Sequence, residues 1–184
     1  MIIGITGTDG AGKGAVVEHL IKRHGFTHYS SRSVIEAEVV ARSLPPTREQ
    51  LRLVANDMRK QHGRDVLVAR ALVAVEAAGG HDAVIESIRA VAEAETLLAE
   101  GGILIAVDAS PKERYRRITG RKSHTDNVSF QEFLAHEQME MNDQDPNGMQ
   151  KAAVMQMADY TIMNNQSLAQ LRKKVDALLS SLQI

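Results

Sequence analysis

The start of the chain constrains the fold most, because an apolar strand, a glycine-rich loop and an amphipathic helix follow one another there. Residues 2–6 form a short apolar run of the kind found in buried parallel strands. The loop Gly7-Thr8-Asp9-Gly10-Ala11-Gly12-Lys13 comes next, and residues 13–24 then carry apolar side chains at helical spacing. Such a loop directs backbone N–H groups and a helix N-terminus at an anion, and its lysine can reach terminal phosphates. The pattern predicts a binding site for a nucleoside triphosphate; the alternative is a glycine-rich turn without a ligand.

The loop departs from the usual pattern directly after its lysine. A serine or threonine normally follows and binds Mg²⁺ through its hydroxyl, but this chain has Gly14 and Ala15. We therefore expect Asp9 in the loop, and Glu86 at the end of an apolar run, to organise Mg²⁺ through water. The alternative for Glu86 is an acid that stabilises a helix N-terminus.

The composition limits the class of protein. A chain of 184 residues can form one domain with a sizeable core. A net charge of −1 gives no field that would attract nucleic acid or a membrane. Cysteine is absent, which excludes disulfides and thiolate chemistry. With no signal peptide and no apolar run of membrane-spanning length, we expect a cytoplasmic protein with a small-molecule partner, and a homodimer stays open.

Apolar β-type runs alternate with helical stripes along the whole chain, which predicts an α/β fold. Strands are predicted near 2–6, 26–30, 82–87, 102–107 and 159–163, and helices near 13–24, 31–43, 47–61, 65–78, 90–99, 110–120, 129–141 and 166–182. We expect a single three-layer P-loop domain over 1–184, with a five-stranded parallel sheet and helices on both faces. The nearly all-helical segment 31–78 exceeds one crossover helix, so we predict a helical acceptor lobe there; otherwise these helices only flank the sheet. A short lid is predicted at 121–128.

Two groups of polar residues are candidates for phosphate chemistry. Arg114, Arg117 and Arg121 are spaced three and four apart, so one helical face could clamp phosphates; the alternative is a solvated cationic helix. The predicted catalytic residues are Lys13, Glu86, Arg117 and Arg121, because phosphoryl transfer needs positioned charge. Acceptor binding is predicted for residues after the second and third strands, which are Ser30, Ser31, Arg32, Glu86, Ser87 and Arg89. The alternative for the serines is helix N-capping, by Ser31 or Ser33.

Several of these segments resemble nucleotide kinases. The string Gly10-Ala-Gly-Lys-Gly14 is similar to adenylate kinases, which have threonine where this chain has Ala15, and Asp9-Gly10 is similar to thymidylate kinases. Residues 29–33 resemble the segment with which adenylate kinases bind the acceptor nucleotide, and residues 117–121 resemble their arginine-bearing lid entry. Residues 158–165 resemble the last strand of dephospho-coenzyme A kinase, which implies that Asn164 and Asn165 lie near the adenine. The whole chain resembles the dephospho-coenzyme A kinase-like predicted nucleotide kinases, within the nucleoside monophosphate kinase superfamily.

The resemblance implies a phosphotransferase that uses ATP and Mg²⁺ and acts on a nucleotide-like acceptor, with a (deoxy)nucleoside monophosphate as the first choice. The early acidic motif that dephospho-coenzyme A kinases use for their acceptor is absent here, so phosphorylation of a ribose 3′-hydroxyl is the alternative. A regulatory nucleotide-binding domain without turnover is a third hypothesis, because Gly14 and Ala15 remove the usual metal ligand. Under each of these three hypotheses, the ATP site is predicted to comprise residues 7–15, Arg117, Asn164 and Asn165.

Overall fold

Five parallel strands form one sheet at the centre of the computed structural model, which describes residues 1–120 and 129–183. The strands are β1 (Ile2–Gly7), β2 (Thr27–Ser30), β3 (Ala83–Glu86), β4 (Ile103–Asp108) and β5 (Tyr160–Met163). Their order across the sheet is β2-β3-β1-β4-β5, so the strand that leads into the glycine-rich loop is central. The predicted α/β class and the five-stranded parallel sheet are confirmed.

Nine helices connect these strands in the described part of the chain. They are α1 (Lys13–His24), α2 (Ser31–Ala41), α3 (Arg48–His62), α4 (Val66–Ala77), α5 (Val91–Ala99), α6 (Pro111–Gly120), α7 (Phe130–Met141), α8 (Lys151–Gln156) and α9 (Leu168–Ser181). The sequence pattern predicts all of them except α8, whose 6 residues are too few to establish a helical period. Among the described residues, no helix is both long and apolar enough to cross a membrane.

The sheet is covered by helices on both faces. On one face, α1 and α9 bury residues such as Leu20 and Val175 against β1 and β4. On the other face, α4, α5 and α8 pack against the sheet. At Gly4 of β1, an added Cβ would lie 2.2 Å from Leu97 Cδ2 of α5, so this helix approaches the central strand closely because the residue there has no side chain.

The helical segment between β2 and β3 has one part with a core of its own and another part that flanks the sheet, so each predicted alternative applies to part of it. Helices α2 and α3 share a small core of their own with the start of α4, built around Val39, Met58 and Leu67. The remainder of α4 contributes Val68 and Ala71 to the core beneath the sheet, so α4 is the crossover helix. Only α2 and α3 are therefore surplus to the crossover. The predicted lid at 121–128 lies outside the described residues.

The strand register brings the predicted site residues to one edge of the sheet. Glu86 of β3 pairs with Ile5 of β1 on one side and with Ser30 of β2 on the other. Gly7 pairs with Val107 at the same carboxyl edge. In open parallel sheets ligands bind outside the carboxyl ends of the strands, so this edge is where a site is expected.

Candidate phosphate-binding site

The loop between β1 and α1 has a backbone that only glycine can adopt without strain. Gly7 and Gly12 have φ values of 125° and 102°. An added Cβ would lie 2.0 Å from Val107 O at Gly7 and 2.5 Å from Asn164 Nδ2 at Gly12. Gly12 is also the N-cap of α1, and no described side chain caps that helix N-terminus. Its N–H groups and the positive end of the helix dipole are therefore available to an anion.

Lys13 folds back over this loop. Its Nζ donates to Gly7 O at 2.9 Å and to Thr8 O at 2.7 Å, and lies 3.6 Å from Asp9 Oδ1. Burial lowers the pKa of Lys13 to about 8, and the neighbouring cations Lys151 and Arg89 lower it as well, against the opposing effect of Asp9 and Glu86. The loop therefore holds a desolvated ammonium that an additional negative charge would stabilise.

A second lysine at this site was not predicted from the sequence. Lys151 is the first residue of α8 and is only 3% exposed. Its Nζ lies 3.2 Å from Asp9 Oδ1 and donates to Glu140. Asp9 thus lies between two ammonium groups. The available signal was a single lysine at the head of the otherwise uncharged segment 151–156, since a lysine that packs into a core requires a charged partner.

Arg117 and Asn164 both bind the outer side of the loop. Arg117 Nη2 donates to Asn164 O at 2.8 Å, and its Nη1 lies 3.4 Å from the carbonyl oxygens of Gly10 and Ala11. The buried Asn164 side chain donates to Ala11 O at 2.7 Å. Asn165 Oδ1 accepts from Ser110 N at 2.7 Å, at the start of the segment that leads into α6. These contacts place Arg117 and both asparagines beside the predicted ATP site.

The prediction of a single phosphate-binding face of three arginines is wrong for Arg114. This side chain is only 4% exposed, and it donates to Glu137 of α7 and to Ala109 O. Its guanidinium also lies 5.4 Å from the ring centroid of Phe133. Arg114 therefore connects α6 to α7, and three-and-four spacing could not reveal that an acid and an aromatic ring on α7 would cover it. Arg121 lies outside the described residues.

The predicted acceptor residues lie at the ends of β2 and β3. Glu86 Oε2 is 3.1 Å from His28 Nε2, and its side chain is 22% exposed. Ser87 has a φ of 73°, an uncommon value for a residue other than glycine. The Ser30 hydroxyl caps α2 by accepting from Ser33 N, so the helix has a serine N-cap, but at Ser30 and not at Ser31 or Ser33.

Ser31 and Arg32 differ in their surroundings. The Ser31 hydroxyl is buried and has no hydrogen-bond partner in the described part of the chain. Arg32 is bonded to Glu36 one turn along α2, with a side chain that is 63% exposed. Ser31 is therefore enclosed near the strand end, whereas Arg32 lies in an ion pair at the helix surface.

A buried ion pair supports the loop after β3. Glu93 accepts from the backbone N–H groups of Arg89 and Ala90 at 2.9 and 3.1 Å. Its other oxygen accepts two bonds from Arg59 of α3, at 2.9 and 2.8 Å, and both side chains are almost fully buried. Arg59 also donates to Asn147 O. This pair fixes the loop that carries Ser87 and Arg89, and sequence spacing gave no sign of it because the partners come from separate helices.

Comparison with known proteins places the chain in a family. Residues 3–143 match a family model described as an AAA domain. A UPF0200 protein of Pyrobaculum aerophilum is 33% identical over 184 residues, with 98% of each chain covered. The chain belongs to the UPF0200 family. That name specifies no reaction.

Solved structures share the fold of this UPF0200 protein. Shikimate kinase from Bacteroides thetaiotaomicron superposes with a TM-score of 0.62 at 14% identity, covering 100% of this chain and 99% of the other. A gluconokinase from Sinorhizobium meliloti gives a TM-score of 0.58 at 16% identity, with coverage of 98% and 91%. These likenesses show that the chain has the fold of the two kinases, which agrees with the predicted α/β fold.

The fold thus brings most of the predicted site residues of this UPF0200 protein to one edge. The loop, Lys13, Arg117 and Asn164 are in mutual contact, and Lys151 and Arg89 are close enough to act on the Lys13 charge. Two carboxylates, Asp9 and Glu86, also act on Lys13. The Thr8 hydroxyl, by contrast, donates to Asp108 Oδ1 at 2.6 Å. Asp9 and Glu86, the two residues predicted from the sequence to organise Mg²⁺, are thus both near the Lys13 ammonium.

Proposed function

We propose that this UPF0200 protein transfers the γ-phosphoryl group of ATP to a nucleotide-like acceptor, with a (deoxy)nucleoside monophosphate as the preferred acceptor. The supporting observation is the grouping of Lys13, Lys151 and Arg89 beside an uncapped helix N-terminus. Like charges gathered in a buried place repel one another, and a triphosphate is a ligand that would relieve that repulsion. The two structural neighbours described above are both named kinases, which agrees with this proposal.

In the proposed reaction, an acceptor oxygen attacks the γ-phosphorus while the bond to the β–γ bridging oxygen breaks, and ADP leaves with the electron pair. The loop N–H groups and Lys13 would hold the β- and γ-phosphates. Lys151, which is oriented by Asp9, would stand beside the migrating group. Arg117 would support the loop through its carbonyl contacts and would lie along the nucleotide. Electrostatic stabilisation of this kind is the main catalytic contribution that a protein makes to phosphoryl transfer.

Asp9 and Glu86 would hold Mg²⁺, mainly through water, since neither Gly14 nor Ala15 has a hydroxyl. When bound, the ion would neutralise charge on the β- and γ-phosphates. The carboxylate of Asp9 already compensates the positive charges of two lysines, so we assign Glu86 the larger share in holding the ion.

The acceptor would bind at the ends of β2 and β3. A monophosphate acceptor carries an ionised oxygen and requires no base, so Ser31 and Arg89 would serve to position it. Phosphorylation of a hydroxyl is the second candidate, and the contact between Glu86 and His28 favours it. In that reaction Glu86 would accept the hydroxyl proton, and His28 would stabilise the carboxylate beforehand.

A panel of acceptors tests the proposal. The purified protein is incubated with ATP, Mg²⁺ and one acceptor at a time: each (deoxy)nucleoside monophosphate or dephospho-coenzyme A. Release of ADP and the phosphorylated product are then measured. We expect acceptor-dependent ADP release with a monophosphate, and none from a Lys13→Ala variant with the same circular dichroism spectrum.

Two other results would change the assignment. Product from dephospho-coenzyme A alone would support the hydroxyl acceptor, and Glu86→Gln should then abolish turnover. Tight ATP binding by calorimetry without turnover on any acceptor would contradict the enzyme and support a regulatory nucleotide-binding domain.

A further inference from the structure

Two histidines and an aspartate meet on the side of the molecule formed by α1 and α9. His19 Nε2 and His24 Nε2 lie 2.6 and 2.9 Å from the same atom, Asp176 Oδ1. The three atoms lie within 4.8 Å of one another. The two rings are 5.4 Å apart between centroids, at an interplanar angle of 80°. Two imidazoles therefore converge on one carboxylate oxygen.

We propose that His19, His24 and Asp176 form a binding site for a transition-metal cation, with Zn²⁺ as the preferred ion. Zinc in proteins accepts imidazole nitrogen and carboxylate oxygen at about 2.0–2.2 Å, in tetrahedral geometry. Tetrahedral bonds of that length separate neighbouring ligand atoms by roughly 3.3 Å. Asp176 Oδ1 lies closer than this to both nitrogens, so the three side chains would rearrange to surround an ion, which would replace the two histidine–aspartate hydrogen bonds. Mg²⁺ and Ca²⁺ prefer oxygen ligands and should not compete.

The side chains are placed so that an ion could enter from solvent. His19, His24 and Asp176 have side-chain exposures of 11%, 23% and 45%. Two ligands are thus partly enclosed by the helices while the carboxylate remains accessible. His19 also lines a surface cavity of about 310 Å³. This opening leaves room for water or a small anion as the fourth ligand, and the basic residues Arg23 and Arg172 on the cavity wall favour the anion.

The proposed metal site is separate from the phosphate site. Helix α1 begins at Lys13 and ends at His24, which places His19 and His24 roughly 9 and 16 Å from Lys13 along the helix axis. Asp176 is on α9, so a bound ion would join the last described helix to the helix that begins at the phosphate-binding loop. The ion would stabilise this packing without touching the nucleotide.

Calorimetry with ZnCl₂ on chelator-treated protein without an affinity tag tests the site. We expect one zinc per chain, and the Co²⁺ derivative should show the intense visible absorption of tetrahedral cobalt. Asp176→Asn and His24→Ala should each weaken zinc binding by more than about 100-fold, because even outer-shell partners of zinc ligands contribute about 10–100-fold in affinity. Zinc should also raise the melting temperature of the parent protein but not that of Asp176→Asn.

Two variants separate this site from other zinc-binding groups. His62→Ala removes an exposed histidine at the end of α3 and should leave zinc affinity unchanged. Glu86→Gln should also retain it, because Glu86 belongs to the phosphate site. The proposal is overturned if the parent binds no stoichiometric zinc, or if Asp176→Asn and His24→Ala bind it as tightly as the parent. Loss of zinc binding in Glu86→Gln alone would overturn it as well.

Discussion

At the scale of single residues, Lys13 determines how the proposed triphosphate would bind. The ammonium already donates hydrogen bonds to two loop carbonyls, so a bound phosphate would have to replace these hydrogen bonds. Binding would consequently be an exchange, and its strength would depend on how much better a phosphate oxygen satisfies the buried charge. The lowered pKa of Lys13 reflects the unfavourable burial of its positive charge in the absence of a ligand.

A proton should therefore be taken up when ATP binds above pH 8. The free protein has a Lys13 pKa of about 8, so part of the amine is neutral at pH 8.5. Phosphate favours the charged form and raises the pKa in the complex, so the complex holds more protons than its components. ATP affinity should fall as the pH rises through about 8, and well below that value the titration of Lys13 should cause no further change with pH.

Calorimetry at pH 8.5 in two buffers of different ionisation enthalpy measures the uptake directly. Lys13→Arg is the control and should show none, because its guanidinium stays charged throughout this pH range. Identical observed enthalpies in the two buffers for the parent protein would show that the pKa of Lys13 does not change on binding.

Gly14→Ser should tighten magnesium-dependent ATP binding. An added Cβ at Gly14 meets no atom within 4 Å among the described residues, so the serine fits without displacing a neighbour. Its hydroxyl would stand directly after Lys13, where P-loop proteins usually bind Mg²⁺. We expect the Mg²⁺ concentration for half-maximal ATP binding to fall at least about 10-fold, the scale on which metal-site contacts act.

Gly14→Ala is the matched control, since it also replaces glycine by a better helix former but adds no oxygen. Glu86→Gln should act in the opposite direction and should spare ATP binding in the absence of metal. Equal magnesium dependence in the serine and alanine variants would refute the interpretation of the missing hydroxyl.

At the scale of elements, the Arg59–Glu93 pair connects α3 to the loop that precedes α5. Arg59→Ala should lower the free energy of unfolding by about 3–5 kcal/mol, because it leaves the Glu93 carboxylate buried without its partner. It should also raise the acceptor KM, since Glu93 holds the backbone of Arg89. Urea denaturation and steady-state kinetics measure the two effects.

Arg116→Ala provides the comparison for that experiment. Arg116 is bonded to Glu113 on the surface of α6, with a side chain that is 73% exposed. Its removal should leave the unfolding midpoint almost unchanged, because exposed ion pairs contribute little. A similar loss of stability in both variants would mean that burial does not govern the energy of the Arg59 pair.

The elements that the sequence predicts well are those whose signal is local. Glycines with positive φ in the loop and the long apolar stripes of α1 and α9 can be recognised from spacing alone. The contact between Lys151 and Asp9 could not be predicted from the sequence, because α8 is short and the two residues are far apart in the chain. For Arg114, spacing predicted a residue that binds phosphate. In the structure its guanidinium instead contacts Glu137 and Phe133 of a neighbouring helix, which spacing could not reveal. Likewise, the partners of Glu86 and Glu93 follow only from the three-dimensional packing.

At the scale of the whole molecule, ligand binding should appear as thermal stability. ATP at about 100 times its dissociation constant should add about 2.7 kcal/mol to the folded state. For a chain of this size, that corresponds to a rise in melting temperature of about 5–10 °C. Thermal unfolding with and without ATP and Mg²⁺ measures it.

Lys13→Ala should lose the shift caused by ATP and keep the shift caused by zinc, whereas Asp176→Asn should do the reverse. Because the two sites have no residue in common, their effects in the parent protein should add. A zinc shift that disappears with Lys13→Ala would show that the two sites are one.

The central position of β1 has a consequence for how the chain reaches its fold. This strand is the earliest in the chain, yet its two neighbours are β3 and β4, and β2 pairs only with β3. During synthesis, the strand and glycine-rich loop therefore have no neighbouring strand until residue 86 has left the ribosome, and they lack the second neighbour until residue 108 has followed. Local hairpins cannot bridge that delay, because every strand pairing is parallel and needs a crossover. The segment that would bind the nucleotide is thus made first and completed late, and until then its apolar strand is exposed to aggregation.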